Sequence, residues 1–99
     1  MNRTVPPLIS NDLRYVFAHL TPLFQKKLSK YSLKEKEAIK KRIRMFIQNP
    51  HSASLKTHKL KGELSSFWSF SINYKLIILF KFMDKETAGF IDIGTHDEV

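Results

Sequence analysis

The period of hydrophobic and polar positions changes along the chain, and each change marks an element. Leu13 to Leu20 is dense in β-branched and aromatic residues and predicts a first strand. Thr21-Pro22 follows as an N-cap with proline at the first helical position, after which Phe24, Leu28 and Tyr31 recur at helical spacing. Ser32-Leu33-Lys34-Glu35 has the spacing of a capping box and starts a second helix. Its apolar stripe is Ile39, Ile43, Phe46 and Ile47, and Asn49-Pro50 ends it. His51 to Leu64 is irregular, polar and basic, a pattern that predicts a connecting loop. Then the period becomes two. Trp68, Phe70 and Ile72 alternate with Ser69, Ser71 and Asn73, which assigns Trp68 and Phe70 to the core rather than to a stacking surface. Leu76 to Met83 is almost continuously apolar and predicts a central strand covered on both faces. Asp84 to Thr87 is turn chemistry, and Gly89 to Ile93 predicts the last strand, followed by Gly94 and the tail Thr95-His96-Asp97-Glu98-Val99.

The expected fold is therefore α+β in the order β-α-α-β-β-β. Both helices should pack by their apolar faces on one side of a small antiparallel sheet made of the three C-terminal strands and strand one. Residues 1–12, with Pro6-Pro7 and Ser10-Asn11-Asp12, read as an N-terminal extension to a single domain over 13–99.

Composition narrows the class. No cysteine is present, which excludes a disulfide scaffold, a thiolate metal site and a cysteine nucleophile, and fits a reducing cytosol. The longest apolar run, Leu76 to Phe80, is too short to span a bilayer, and the N-terminus lacks the apolar core of a signal peptide. A soluble, cytoplasmic domain is expected. Charge is the first functional clue. Between Lys26 and Lys61 twelve basic residues face only Glu35 and Glu37, a net of +10, whereas the rest of the chain nets −2. Such a segment attracts polyanions, nucleic acid or an acidic protein; a solvated helix face is the plainer alternative.

Taken together, the element order, the helix ending in Asn49-Pro50, the His58-Lys59-Leu60-Lys61-Gly62 loop, the Trp68-Ser69-Phe70-Ser71-Ile72 strand and the final Ile93-Gly94-Thr95-His96-Asp97-Glu98-Val99 resemble the RelE/ParE superfamily of bacterial toxins, nearest to its YafQ-like mRNA interferases. The resemblance covers residues 13–99. It implies the toxin of a type II toxin–antitoxin pair, a metal-independent endoribonuclease that needs no cofactor and cuts messenger RNA in the ribosomal A site. It also implies a cognate antitoxin that wraps the domain, here through an acidic, partly disordered segment suited to the basic stretch.

Such cleavage needs a base for the 2′-hydroxyl, positive charge at the phosphorane and an acid for the leaving 5′-oxygen. The resemblance assigns acid–base work to His96, in a Gly-Thr-His motif, and to His58, in a His-x-Leu-x-Gly loop. Phosphate contacts fall to Lys56, Lys59, Lys61 and Lys75. The plainer readings are an exposed tail histidine, a loop histidine capping a carbonyl and solvated lysines. His19 and His51 match nothing and are expected to be structural or superficial.

Three departures stand out. Ile77 occupies the place where the family's third-strand arginine is expected, with Lys75 as a point-charge substitute. Ser71 stands where the YafQ-like branch has a further histidine, and the chain stops at Val99, where the family commonly continues to an aromatic residue. Two other functions share the fold: a ParE-like gyrase inhibitor, against which the His58/His96 pair argues, and a non-catalytic antitoxin- or RNA-binding module, which the departures favour.

Overall fold

A computed structural model describes residues 16–99. The proposed extension over 1–12 and the opening of the first strand at Leu13 lie outside the described residues. Strand β1 (Phe17–Leu20) leads into helix α1 (Pro22–Leu28) and helix α2 (Leu33–Gln48). Strands β2 (His58–Lys59), β3 (Trp68–Ser71), β4 (Leu76–Asp84) and β5 (Thr87–Thr95) follow. They form one five-stranded sheet in the order β1-β5-β4-β3-β2.

Both helices start as their sequences direct. Thr21 Oγ accepts from the Phe24 amide and donates to the Phe90 carbonyl at 2.7 Å, so one hydroxyl caps α1 and ties it to β5. In the capping box of α2, Ser32 Oγ accepts from the Glu35 amide while Glu35 Oε1 accepts from the Ser32 amide. Hydrogen bonding to Ser32, through its backbone and then its side chain, holds the Glu35 carboxyl below its ordinary value.

Five phenylalanines, Phe24, Phe46, Phe70, Phe80 and Phe90, are fully buried and join the helices to the sheet. Phe46 of α2 is central among them. Its ring stacks on Phe70 at 4.4 Å and meets Phe80 and Phe90 edge-on at 4.8 and 5.5 Å. Each buried phenylalanine stabilises the fold by about 1.5–3 kcal/mol through burial alone, and each such ring pair adds about 0.5–1.5 kcal/mol. Ile39 is buried and Ile43 packs against this cluster, as the α2 stripe requires. Phe70 is core as expected, and Trp68 is half-buried, lying against Phe80 and Phe82.

Two features go beyond the expected plan. The sheet is mixed, because β1 runs parallel to β5 with Phe17 opposite Thr87 and Leu20 opposite Phe90. Tight turns force β3, β4 and β5 to be antiparallel, whereas β1 reaches its partner from the far end of the chain and is free of that constraint. The second feature is in the expected loop. Residues 51–64 hold two short 3₁₀ turns (Ala53–Leu55 and Gly62–Leu64) and the edge strand β2, which pairs His58 with Ser69 and Lys59 with Trp68. Two residue pairs are too few to leave an alternating pattern in the sequence.

Candidate functional site

Strand alternation sorts the site residues by face. Phe70, Ile78, Phe80 and Ile93 point into the helix-packed core, so Ser69, Ser71, Ile77, Leu79 and Gly94 belong to the second face. His58 is the register partner of Ser69 and shares that face, while Lys59 alternates with it opposite Trp68. The centre of the second face is buried: Ile77 is 6% exposed, Leu79 8% and Ser69 1%.

At the β2 corner, His58 is exposed but its ring is held at both nitrogens. Nδ1 lies 2.9 Å from the Lys56 carbonyl oxygen, and Nε2 lies 3.5 Å from Ser69 Oγ. Lys56 adopts a left-handed backbone conformation, φ +54°, in closing the first 3₁₀ turn. Among the described residues no other non-glycine has a positive φ. Lys56, Lys59 and Lys61, close to His58 along the chain, are all exposed and give this corner three cations and a neighbouring Glu63, with Lys59 on the strand face opposite the ring.

The tail forms the other corner. Beyond β5 the chain turns tightly: Glu98 and Val99 amides donate to the Thr95 carbonyl, and Glu98 Oε1 accepts from the Thr95 amide. His96 is exposed on that turn. The turn presses on Gly94, where an added Cβ would lie 2.7 Å from Glu98 Oε1 and 3.1 Å from Glu98 Cβ. Leu76 pairs with Thr95, which brings the β3–β4 turn, with Lys75 and the 92%-exposed Tyr74, to the same end of the sheet. Acidic groups gather here. Burial first, then Glu98 and Glu35, raise the Tyr31 hydroxyl above its ordinary value of 10.0, so it is neutral through the physiological range. Lys75 in turn contributes to lowering Glu35.

The six expected site residues thus fall into two groups: Lys56, His58, Lys59 and Lys61 at the β2 edge, Lys75 and His96 at the tail end. The register runs from His58 through Ser69 and Leu79 to Asp92, three strand spacings away, and His96 lies four residues further on. In an ordinary sheet that offset separates the two Cα atoms by roughly 15–20 Å.

Other residues take structural roles. Arg42, part of the basic segment, donates through Nε to the Ser71 carbonyl and through Nη2 to the Ser54 carbonyl, fastening α2 to β3 and the first 3₁₀ turn. Lys27 pairs with Asp92 at 2.6 Å across α1 and β5. His51 rests its ring on Trp68 and Phe82, and His19 is exposed on β1, in keeping with structural and surface roles. Sequence reasoning did not single out Ser69. Its polar position in an alternating strand read as a solvent-facing one, and only the pairing of β2 shows what lies over it. Among the described residues no three His, Asp or Glu side chains converge as metal ligands would, and no helix is long and apolar enough to cross a membrane.

No family model matches the chain, and no curated protein matches its sequence. Solved structures do match in fold. YafQ from E. coli strain BL21(DE3) aligns with a TM-score of 0.68 at 20% identity, covering 84% of this chain and 96% of that one. A YoeB/ParE toxin from Agrobacterium tumefaciens aligns with a TM-score of 0.68 at 18% identity, covering 82% and 99%. The toxin–antitoxin complex RelBE2 from Mycobacterium tuberculosis supplies a third, with a TM-score of 0.70 at 14% identity, covering 83% and 92%. The α+β architecture is that of RelE- and YafQ-like toxins, as the sequence resemblance implied.

Proposed function

We propose that this chain is the toxin of a type II toxin–antitoxin pair and that it cleaves messenger RNA on the ribosome. The observation that carries the reading is the placement of two accessible imidazoles, His58 and His96, on a fold shared with YafQ and YoeB/ParE toxins. One imidazole takes the proton of a ribose 2′-hydroxyl, whose oxygen attacks the adjacent phosphorus. The other protonates the 5′-oxygen as its bond to phosphorus breaks. A 2′,3′-cyclic phosphate and a 5′-hydroxyl result, without a metal ion. Lys56, Lys59 and Lys61 bind phosphates beside His58, and Lys75 supplies positive charge beside His96.

The partner in this reading is a cognate antitoxin in the cytoplasm. Solved relatives of the fold include the E. coli DinJ–YafQ toxin–antitoxin complex. Most of the basic segment lies on α1 and α2, with Lys26, Lys30, Lys34, Lys40, Lys41 and Arg44 exposed, so the helix layer suits an acidic, partly disordered partner segment.

Inducing the chain in cells and mapping new 5′ ends tests the activity. Cuts confined to translated messages support it, and an unchanged 5′-end profile removes it. A second reading, a non-catalytic antitoxin- or RNA-binding module, draws on one observation: the place of the missing arginine is the buried Ile77, which leaves no cation at that point of the sheet. It expects RNA or antitoxin binding with no new 5′ ends.

A further inference from the structure

We propose that the Lys56 carbonyl and the Ser69 hydroxyl are positioning groups that hold neutral His58 with its proton on Nδ1 and its lone pair on Nε2, which makes His58 the base. The base assignment rests on the nuclease reading above; the tautomer does not.

A carbonyl oxygen can only accept, so the ring nitrogen 2.9 Å from Lys56 O must carry the hydrogen. In a neutral imidazole the other nitrogen then bears the lone pair. That nitrogen, Nε2, faces Ser69 Oγ, whose hydrogen completes the assignment by pointing at it. Ser69 is 1% exposed, and no buried side-chain nitrogen or oxygen among the described residues is left without a partner. The seryl hydroxyl can donate to that lone pair, and turning the ring over would set carbon in place of nitrogen against both the Lys56 carbonyl and Ser69 Oγ. This tautomer is the reverse of the one a free histidine favours.

The backbone is arranged to the same end. A lysine in the left-handed region is strained, and strain of this kind persists where the surroundings over-determine it. Here it turns the Lys56 carbonyl back onto a ring two residues later. The Ser69 contact, at 3.5 Å, is at the outer limit for a hydrogen bond, so a ribose hydroxyl arriving closer displaces it and gives its proton to the same lone pair. The 2′-oxygen then bonds to phosphorus, the 5′-oxygen leaves, and His58 ends as the imidazolium. Protonating the leaving oxygen is left to the other imidazole, His96.

Nitrogen-15 spectra of the ring nitrogens, recorded on the free protein with His58 assigned through His58→Gln, read the tautomer directly. The pyridine-type signal should belong to Nε2. Lys56→Gly keeps the left-handed backbone and should keep that assignment. Lys56→Val loses the same ammonium but disfavours that backbone, and should shift the tautomer ratio towards Nε2–H by on the order of five-fold, the weight of one hydrogen bond. Ser69→Ala should move the Nε2 signal without reversing the assignment. A wild-type ring protonated on Nε2 overturns the proposal even if the valine variant fails to fold, as does an equal ratio in Lys56→Gly and Lys56→Val. The base role has its own arm. RNA with sulfur in place of the 5′-bridging oxygen has a leaving group that needs no acid, so it should rescue His96→Ala and not His58→Ala; rescue of His58→Ala overturns the base assignment. If neither the wild type nor any variant cleaves RNA, the nuclease reading fails while the tautomer result stands by itself.

Discussion

The two corners that carry the histidines are built in opposite ways. At the β2 corner the ring is fixed and the neighbouring chain is cationic: both nitrogens of His58 have partners, and Lys56, Lys59 and Lys61 are exposed on the same short stretch. At the tail corner the ring is free of hydrogen bonds to the described residues, and the charge is mixed, with Lys75 beside Glu35, Asp97 and Glu98 near the turn. A fixed imidazole among cations suits a group that must take a proton beside a phosphate. An exposed one on a short turn suits a group that arrives with the substrate. The lesson is that histidines of similar exposure differ in what holds them, and the holding decides the chemistry each can do.

The largest expected effect tests whether both corners serve one reaction. His96→Ala should lower single-turnover cleavage on saturating ribosomes by about 10²–10⁴-fold, the scale of losing an acid–base group, with ribosome affinity almost unchanged. An unchanged rate would detach the tail corner from the mechanism and favour the binding-module reading. Next comes the ground between the corners. Ile77→Arg, which places there the arginine that the sequence resemblance leads one to expect, introduces an unpaired charge at a position 6% exposed and should destabilise the fold by about 3 kcal/mol or more. Chemical denaturation checks this; a variant as stable as the wild type that cleaves faster would show that the second face admits the charge.

Gly94→Ala separates the tail's geometry from its histidine. The added methyl meets the Glu98 side chain and should displace the turn, at about 1–2 kcal/mol, while impairing cleavage more than stability. Lys59→Ala probes the cationic corner, and should flatten the salt dependence of RNA binding by about one unit of slope without a specific loss in the chemical step. The smallest effect lies at the start of α2. Glu35 has a lowered folded-state pKa, so its contribution is present above its ordinary value of 4.5 and fades as pH falls through the folded one. Thermal unfolding at pH 7 and pH 3 should show a smaller pH penalty in Glu35→Gln than in the wild type.

The elements with strong periodicity were legible in the sequence. The α2 stripe, the capping box and the alternation of Trp68–Ile72 each express a local rule, and Ile39, Phe46 and Phe70 are buried accordingly. Strand β2 was not, because two residues of edge strand take their conformation from β3 rather than from their own side chains. The same cause hid Ser69 and the split of the site into two corners. A list of candidate residues carries no distances; the distances come from register, and register comes from pairings that no single segment encodes. Arg42 illustrates the converse, since a charge counted towards nucleic-acid binding is occupied by two backbone carbonyls.

The parallel pairing of β1 with β5 also bears on how the chain folds. The β4–β5 hairpin closes a short turn and can form early, yet the sheet is incomplete until Phe17–Leu20 finds Thr87–Phe90, some seventy residues away. Closing so long a loop costs entropy before any contact rewards it, so β1 is expected to dock late, after the folding barrier has been crossed. Substitutions that weaken this seam, such as Ala88→Gly on β5, should therefore speed unfolding far more than they slow folding.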